Sequence, residues 1–263
     1  MVGNNEDLDH AYTQMWTVPA GSGTYGVLYF GFGRGEYPTG GASLSTRVRQ
    51  ALAGTIPLND IGVEDTYGYP QQGINEKGLF FGGAQTEIVL SVDRKPRFDG
   101  VVVDHILRHC KNIQEALRVI QAYDFPAPEG QLLFADPMGQ SFIWEAGGAI
   151  LMGTGRYQII TNFLQSRQPK EKSRDRRYKT VDDRLKTNPR LSPDLIKSLL
   201  VETQQDITQY SLVFDLSHLT VDVYERRQFS KAVTIRLVEQ LAMGTGAAQI
   251  SALFLGKPGI TPH

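Results

Sequence analysis

Blocks of strand-forming residues alternate with blocks of helical period along this chain, and that order constrains the fold more than any single motif does. Strand formers run over residues 16–32, closing in Val27-Leu28-Tyr29-Phe30-Gly31-Phe32, and return in Leu79-Phe80-Phe81-Gly82-Gly83-Ala84 and Gln131-Leu132-Leu133-Phe134-Ala135. Between the last two, the period becomes helical in two pieces. Val102, Ile106 and His109 or Cys110 mark one face, and Asn112 with Glu115 forms an N-cap and capping-box pair that opens a second helix over 113–122. Asp136-Pro137-Met138-Gly139 then reads as a type I turn, making a β-hairpin with a returning strand at 141–145. A further strand pair ends in Tyr157-Gln158-Ile159-Ile160-Thr161-Asn162-Phe163. Helices follow over 173–185 and from Ser192, which caps a helix with Pro193 at its first position. Strands close the order at 210–216, 220–225 and 233–238, and residues 244–263 read as a Gly/Pro-punctuated tail beyond a domain spanning 1–243. Runs of strands separated by runs of helices predict a layered α+β domain, because alternating βαβ winding would interleave them singly.

The chain is large enough for a substantial core: 263 residues, 41% hydrophobic and 21% charged. Its 27 basic and 28 acidic residues nearly cancel, so no long-range field gathers nucleic acid or an anionic membrane, and neither is expected as a partner. No apolar run reaches the roughly 18 residues that a membrane helix needs. The first residues carry neither the basic segment nor the apolar core of a signal peptide, and this leaves localisation undetermined. Cys110 is the single cysteine, which excludes internal disulfides and cysteine-based zinc sites.

Several smaller features have ordinary readings. Gly31, Gly33 and Gly35 follow a strand, but without dinucleotide spacing or a Lys-Ser/Thr pair they read as a glycine-rich turn. Cys110, beside apolar helical positions, reads as a core residue, because a reactive thiol needs an electropositive and partly open setting. His105 and His109 have i, i+4 spacing, yet a metal site needs a third ligand, so a surface or capping role is expected and no metal. The basic stretch Ser173-Arg174-Asp175-Arg176-Arg177-Tyr178 is the kind that usually forms a solvated face.

Two motifs carry a family resemblance. Val2-Gly3-Asn4-Asn5-Glu6-Asp7 resembles a strand end of the linear-amide C–N hydrolases, the N-terminal-nucleophile group that includes choloylglycine hydrolases, penicillin V acylases and isopenicillin-N acyltransferases. Gly73-Ile74-Asn75-Glu76-Lys77-Gly78-Leu79 is the more specific match. Read physically, it is a turn, with Asn75 and Gly78 suited to positive φ, feeding a buried strand. The segments 132–139, 161–163, 176–178 and 210–216 match in the same order. The resemblance implies a four-layer αββα sandwich, here missing its first strand. It makes residues 36–66 an insertion, which is either a surface decoration or a lid; as a lid, the helix that the spacing of Leu44, Val48 and Leu52 predicts over 43–53 would set these three over the pocket mouth.

The resemblance also implies a chemistry. Cleaving an unactivated amide calls for a nucleophile, a base near neutral pH and donors for an oxyanion. An N-terminal cysteine supplies the first two, since its own α-amine is the base. By resemblance, Asp7 would hold that amine and Asn162 would donate to the oxyanion. Gln85 would add a second polar group, and Arg177, with Arg176 as a rival, would stabilise developing charge. No cofactor is implied, and the substrate would be a small-molecule N-acyl amide. Asn4 stands where many relatives have arginine. The nucleophilic cysteine is expected about one strand and turn before Asp7, where this sequence has no residue. Either the chain is truncated and its complete form is an amide hydrolase, or an acyltransferase on the same scaffold, or it is an inactive binding protein that keeps the pocket. Asp7, Gln85, Asn162 and Arg177 are expected to converge on one cleft. The strand edge beside Asp7 is expected to lie open to pairing with another chain, as in a homo-oligomer.

Overall fold

The computed structural model describes residues 1–8, 13–33, 68–87, 98, 101–123, 130–188, 190–255 and 261–262. The expected insertion at 36–66, with Leu44, Val48 and Leu52, lies outside them.

Two antiparallel sheets stack face to face. The smaller contains β1 (Val2–Asp7), β9 (Thr208–Asp215), β10 (Thr220–Glu225) and β11 (Val233–Arg236), in the order β1-β9-β10-β11. The larger contains β2 (Thr13–Val18), β3 (Val27–Gly33), β4 (Gly68–Asn75), β5 (Phe80–Gln85), β6 (Gly130–Ala135), β7 (Ser141–Glu145), β8 (Ile150–Met152), β12 (Gly246–Gln249) and β13 (Thr261–Pro262). Its order is β13-β12-β2-β3-β4-β5-β6-β7-β8, a meander from β2 to β8. The helices are α1 (Val102–His109), α2 (Ile113–Ala122), α3 (Glu171–Arg174), α4 (Arg176–Thr187), α5 (Pro193–Thr203) and α6 (Leu237–Ala242).

The period-2 alternation of side chains explains why the strands are apolar on both faces. Leu28 and Phe30 of β3 point into the space between the sheets, where Phe30 meets Phe214 edge-on at 5.9 Å and Phe80 lies 4.8 Å from the same ring. Val27 and Tyr29 point the other way, into a second core under Ile106, Leu107 and Ile113 of α1 and α2. The smaller sheet repeats the pattern. Tyr210, Leu212 and Phe214 face inward, whereas Val213 packs under Leu185 of α4 and Ile196, Leu199 and Leu200 of α5. Three cores between four layers make the αββα sandwich expected from the sequence.

The local readings differ from the structure in several places. Residues 16–32 form a hairpin and not one strand: β2 and β3 pair from Thr13↔Phe32 to Val18↔Val27, and Pro19, Gly21 and Gly23 break the run between them. Residues 157–163 form no strand, since the chain there is held by side chains instead of a ladder. The basic helix breaks at Asp175, whose side chain caps α4 by accepting from Tyr178 N at 2.7 Å. Val233–Arg236 is a strand, but the chain turns helical at Leu237. The 244–263 segment, read as a tail, contributes β12 to the larger sheet beside β2, from Gly246↔Thr17 to Gln249↔Gln14.

The Asn75-Glu76-Lys77-Gly78 turn carries more than a bend. Gly78 has φ +80, as a left-handed turn position requires. Asn75 lies in β4, is absent from the positive-φ residues, and works through its side chain. Its Nδ2 donates to Leu107 O and Cys110 O, both at 2.8 Å, and its Oδ1 accepts from Lys77 N and Leu79 N, both at 3.0 Å. The motif therefore bolts the end of α1 to the β4–β5 turn. Cys110 sits in that junction, 3% exposed, with its thiol pushed up to about 11 by burial and then by Glu115. His109 Nδ1 lies 3.0 Å from His105 O, and the two rings stack at 4.4 Å. Among the described residues no three metal-ligating side chains cluster.

Candidate active site

Four segments distant in sequence meet beside the last residue of β1. Asp7 accepts from Thr208 Oγ1 at 2.5 Å and from the side-chain amide of Gln205, and its Oδ2 lies 3.4 Å from Arg177 Nη1. Arg177 Nη2 in turn donates to Asn162 Oδ1 at 2.6 Å. Asn162 Nδ2 then donates to the main-chain carbonyl of Gln85 at 2.8 Å. Asp7, Arg177, Asn162 and Gln85 thus form one continuous chain of hydrogen bonds, although 170 positions separate Asp7 from Arg177.

Each member is placed by an identifiable local device. Asp7 lies opposite Thr208, just past a register irregularity between Glu6 and Asp7 that ends the regular β1–β9 ladder. Arg177 is in the first turn of α4. The Asp175 cap that starts this helix also lies 3.6 Å from Arg177 Nη2. Gln85 ends β5 and enters the network through its backbone carbonyl. Arg176, the rival of Arg177, is exposed.

The geometry fixes the orientation of the Asn162 amide. Arginine can only donate, so the group facing Arg177 must be the amide oxygen, and the nitrogen must face the Gln85 carbonyl. One N–H is used there. The other has no partner among the described residues, and the side chain is exposed. Asp7 is the complementary group, a carboxylate with one acceptor position left after Thr208, Gln205 and Arg177.

A second polar cluster lies beside this one, on the inner face of β1. Glu6 accepts from Gln72 Nε2 at 2.9 Å, a bond that crosses from the smaller sheet to the larger, and from Asn4 Nδ2 at 3.4 Å. Gln72 Nε2 also lies 3.4 Å from the Tyr210 hydroxyl. Burial is the main reason that the Glu6 carboxyl is raised to about 7, with the neighbouring Asp7 adding to it and the bonds from Gln72 and Asn4 opposing it. Asn4, at the position where arginine was expected, serves this carboxylate.

The sequence reading did not single out Gln205, Thr208, Glu6 or Gln72. Thr208 had no local signal, because its role follows from the β1–β9 register. Glu6 had one: an acidic residue in a strand whose alternate positions, Val2 and Asn4, also face inward.

No protein-family model and no curated protein matches the sequence. Solved structures do match the fold. Conjugated bile acid hydrolase from Clostridium perfringens, in a variant form, superposes with a TM-score of 0.65 at 12% identity, covering 94% of this chain and 91% of that one. A second variant of the same enzyme gives a TM-score of 0.64 at 12% identity over the same shares. Penicillin V acylase from Agrobacterium tumefaciens gives 0.63 at 15% identity, covering 94% of this chain and 86% of that one. At these identities the likeness speaks for architecture, and in architecture the chain has the αββα sandwich fold of the N-terminal-nucleophile amide hydrolases.

Proposed function

We propose that this chain carries the charge-stabilising half of an amide-hydrolase site and acts on a small N-acyl amide through an acyl-enzyme. The observation that supports this most is the Asp7–Arg177–Asn162–Gln85 chain of hydrogen bonds, in which Arg177 links a carboxylate with spare acceptor capacity to an amide whose second N–H is free among the described residues. Attack of a thiolate on the amide carbon forms the C–S bond and puts charge on the carbonyl oxygen. The free Asn162 N–H is the donor for that oxygen, and Arg177 keeps it aimed. The C–N bond breaks as the leaving nitrogen takes a proton from the α-amine that had received it from the thiol. Water then releases the acid by the same route, and Asp7 holds the α-amino group in place as it takes up and gives back the proton.

None of the four residues can be the nucleophile. Cys110 cannot stand in, being buried at the α1 junction with its thiol raised to about 11 and used as packing. The reading therefore places a cysteine on a further strand alongside β1, whose outer edge pairs with no described strand.

The test is to read the gene in frame ahead of Met1, express the chain with those residues, and measure amine release from a panel of N-acyl amino acids and penicillin V. Turnover is expected, lost when the upstream cysteine becomes serine or alanine. Asn162→Ala should lower kcat on the order of 10²-fold, the scale of one oxyanion donor. Turnover by the present chain that disappears on Cys110→Ala would overturn the assignment. Tight binding of the panel with no turnover in any form would make the protein a binder.

A further inference from the structure

The segment that bears Asn162 has no strand ladder to hold it, yet its position decides where the donor points. Two side chains of the larger sheet do the holding. Gln131, at the start of β6 and fully buried, donates through the same Nε2 to Thr161 O at 2.5 Å and to Phe163 O at 2.9 Å, the carbonyls on either side of Asn162. Glu145, at the end of β7 and also fully buried, accepts from Gln165 N at 2.5 Å and from Ser166 N at 3.2 Å. These two anchors lie next to each other, because Gln131 and Glu145 are cross-strand partners in the β6–β7 register. Gln131 also pairs with Ala84, the residue before Gln85. One ladder thus sets the carbonyl that receives Asn162 and the amide that grips its backbone.

The arrangement has a cost that packing does not explain. With both N–H groups committed to the two carbonyls, Gln131 Oε1 is left buried without a partner among the described residues, and so is the Thr161 hydroxyl. An apolar residue at 131 would remove that unsatisfied oxygen. It would also release both carbonyls, which Gln131 binds at once through two donors on one nitrogen without burying a charge.

We propose that Gln131 is a positioning residue for the site, clamping the main chain on both sides of Asn162 so that its free amide N–H is held toward the reacting carbonyl, with Glu145 anchoring the same segment on its C-terminal side. This rests on the proposed amide-hydrolase reading for the role of Asn162, but the clamp itself is testable without turnover.

The first measurement is made on the chain as it stands. In the ¹⁵N-labelled protein, the Asn162 side-chain amide is assigned by its disappearance in Asn162→Asp, and its hydrogen exchange is followed in Gln131→Leu and Gln131→Glu. Exchange at least tenfold faster in both variants is expected, with the Arg118 and Asn75 regions unchanged. Wild-type exchange and shifts at Asn162 in a folded variant would overturn the clamp. If Gln131→Leu fails to fold, Gln131→Glu, which keeps the shape but loses the paired donors, decides alone.

The second measurement is a double-mutant cycle in the turnover-competent form. Gln131→Leu should lower kcat on the order of tenfold to a hundredfold with KM within about twofold, and should add nothing when Asn162 is already alanine. An equal loss of kcat in both backgrounds would show that Gln131 acts only on stability and would overturn the positioning role. If Asn162→Ala itself keeps full turnover, the hydrolase reading of Asn162 fails, and the exchange result still decides whether the clamp exists.

Discussion

Replacing Glu6 with glutamine should make this protein more stable at neutral and alkaline pH, against the usual expectation for a buried, hydrogen-bonded side chain. The carboxyl is raised from its ordinary 4.5 to about 7, chiefly by burial. At about 1.4 kcal/mol for each tenfold change in proton affinity, this corresponds to about 3 kcal/mol. The sign follows from proton counting. Between 4.5 and 7 the folded protein keeps the Glu6 proton and the unfolded chain has lost it, so stability falls as pH rises through this window and levels off above it. Glutamine keeps the shape and an oxygen for Gln72 Nε2, but carries no charge to bury. Urea unfolding of wild type and Glu6→Gln at half-unit steps from pH 4.5 to 8.5 measures the difference, which cancels other titrations such as that of His105, lowered by burial and by His109. The stability of the variant relative to wild type should rise by about 3 kcal/mol across the series. A gap that is constant with pH, or that widens on acidification, would refute the assignment of the buried proton to Glu6.

Three further outcomes test the frame around the site. Asn75→Ala should cost at least about 3 kcal/mol by chemical unfolding, because it orphans two carbonyls at the end of α1 and two amides in the β4–β5 turn; a loss under about 1 kcal/mol would mean that water replaces the bolt. Gly78→Ala should cost more than about 2 kcal/mol, read as a lower Tm, since its φ is +80 and an added Cβ would lie 2.5 Å from Leu216 O and from Pro137 Cγ. Cys110 should resist iodoacetamide at pH 8 in the native protein and label quickly in urea, as a thiol raised to about 11 and 3% exposed requires; rapid native labelling would show the α1 junction to be open.

The layers were legible in the sequence because each strand declares its own environment. Val27-Leu28-Tyr29-Phe30 is apolar at every position, and a strand buried on both faces is what a central layer needs. Caps were legible for the same reason, being contacts across three residues: Asn112 to Glu115 N at 3.0 Å, and Ser192 to Leu195 N at 3.1 Å. Where a reading depended on register or on a distant partner, it failed or had no basis. The 157–163 stretch looks like a strand, but no described strand pairs with it, and Gln131 takes its carbonyls instead. Residues 246–249 look like tail until β2 is seen beside them.

The site shows the same division most sharply. Asp7, Gln85, Asn162 and Arg177 were named together because a resemblance named them, and no local pattern ties any one to the others. What resemblance could not supply was the manner of their meeting: Gln85 through its carbonyl, Arg177 as the link between Asp7 and Asn162, and Thr208 and Gln205 as the residues that hold the carboxylate. These are the contacts that fix orientation. An asparagine held through its oxygen by an arginine and through one N–H by a carbonyl has its other N–H aimed, so Arg177→Ala should leave only the Gln85 carbonyl to hold the Asn162 amide and let it swing. In the turnover-competent form, that change should lower kcat more than it raises KM, because a misaimed donor is missed chiefly by the oxyanion of the transition state and much less by the neutral ground state. Arg177→Lys should recover only part of the loss, since one ammonium cannot span Asp7 and Asn162 as the two guanidinium nitrogens do. If Arg177→Ala raises KM alone, the arginine binds substrate directly and the orientation argument is wrong.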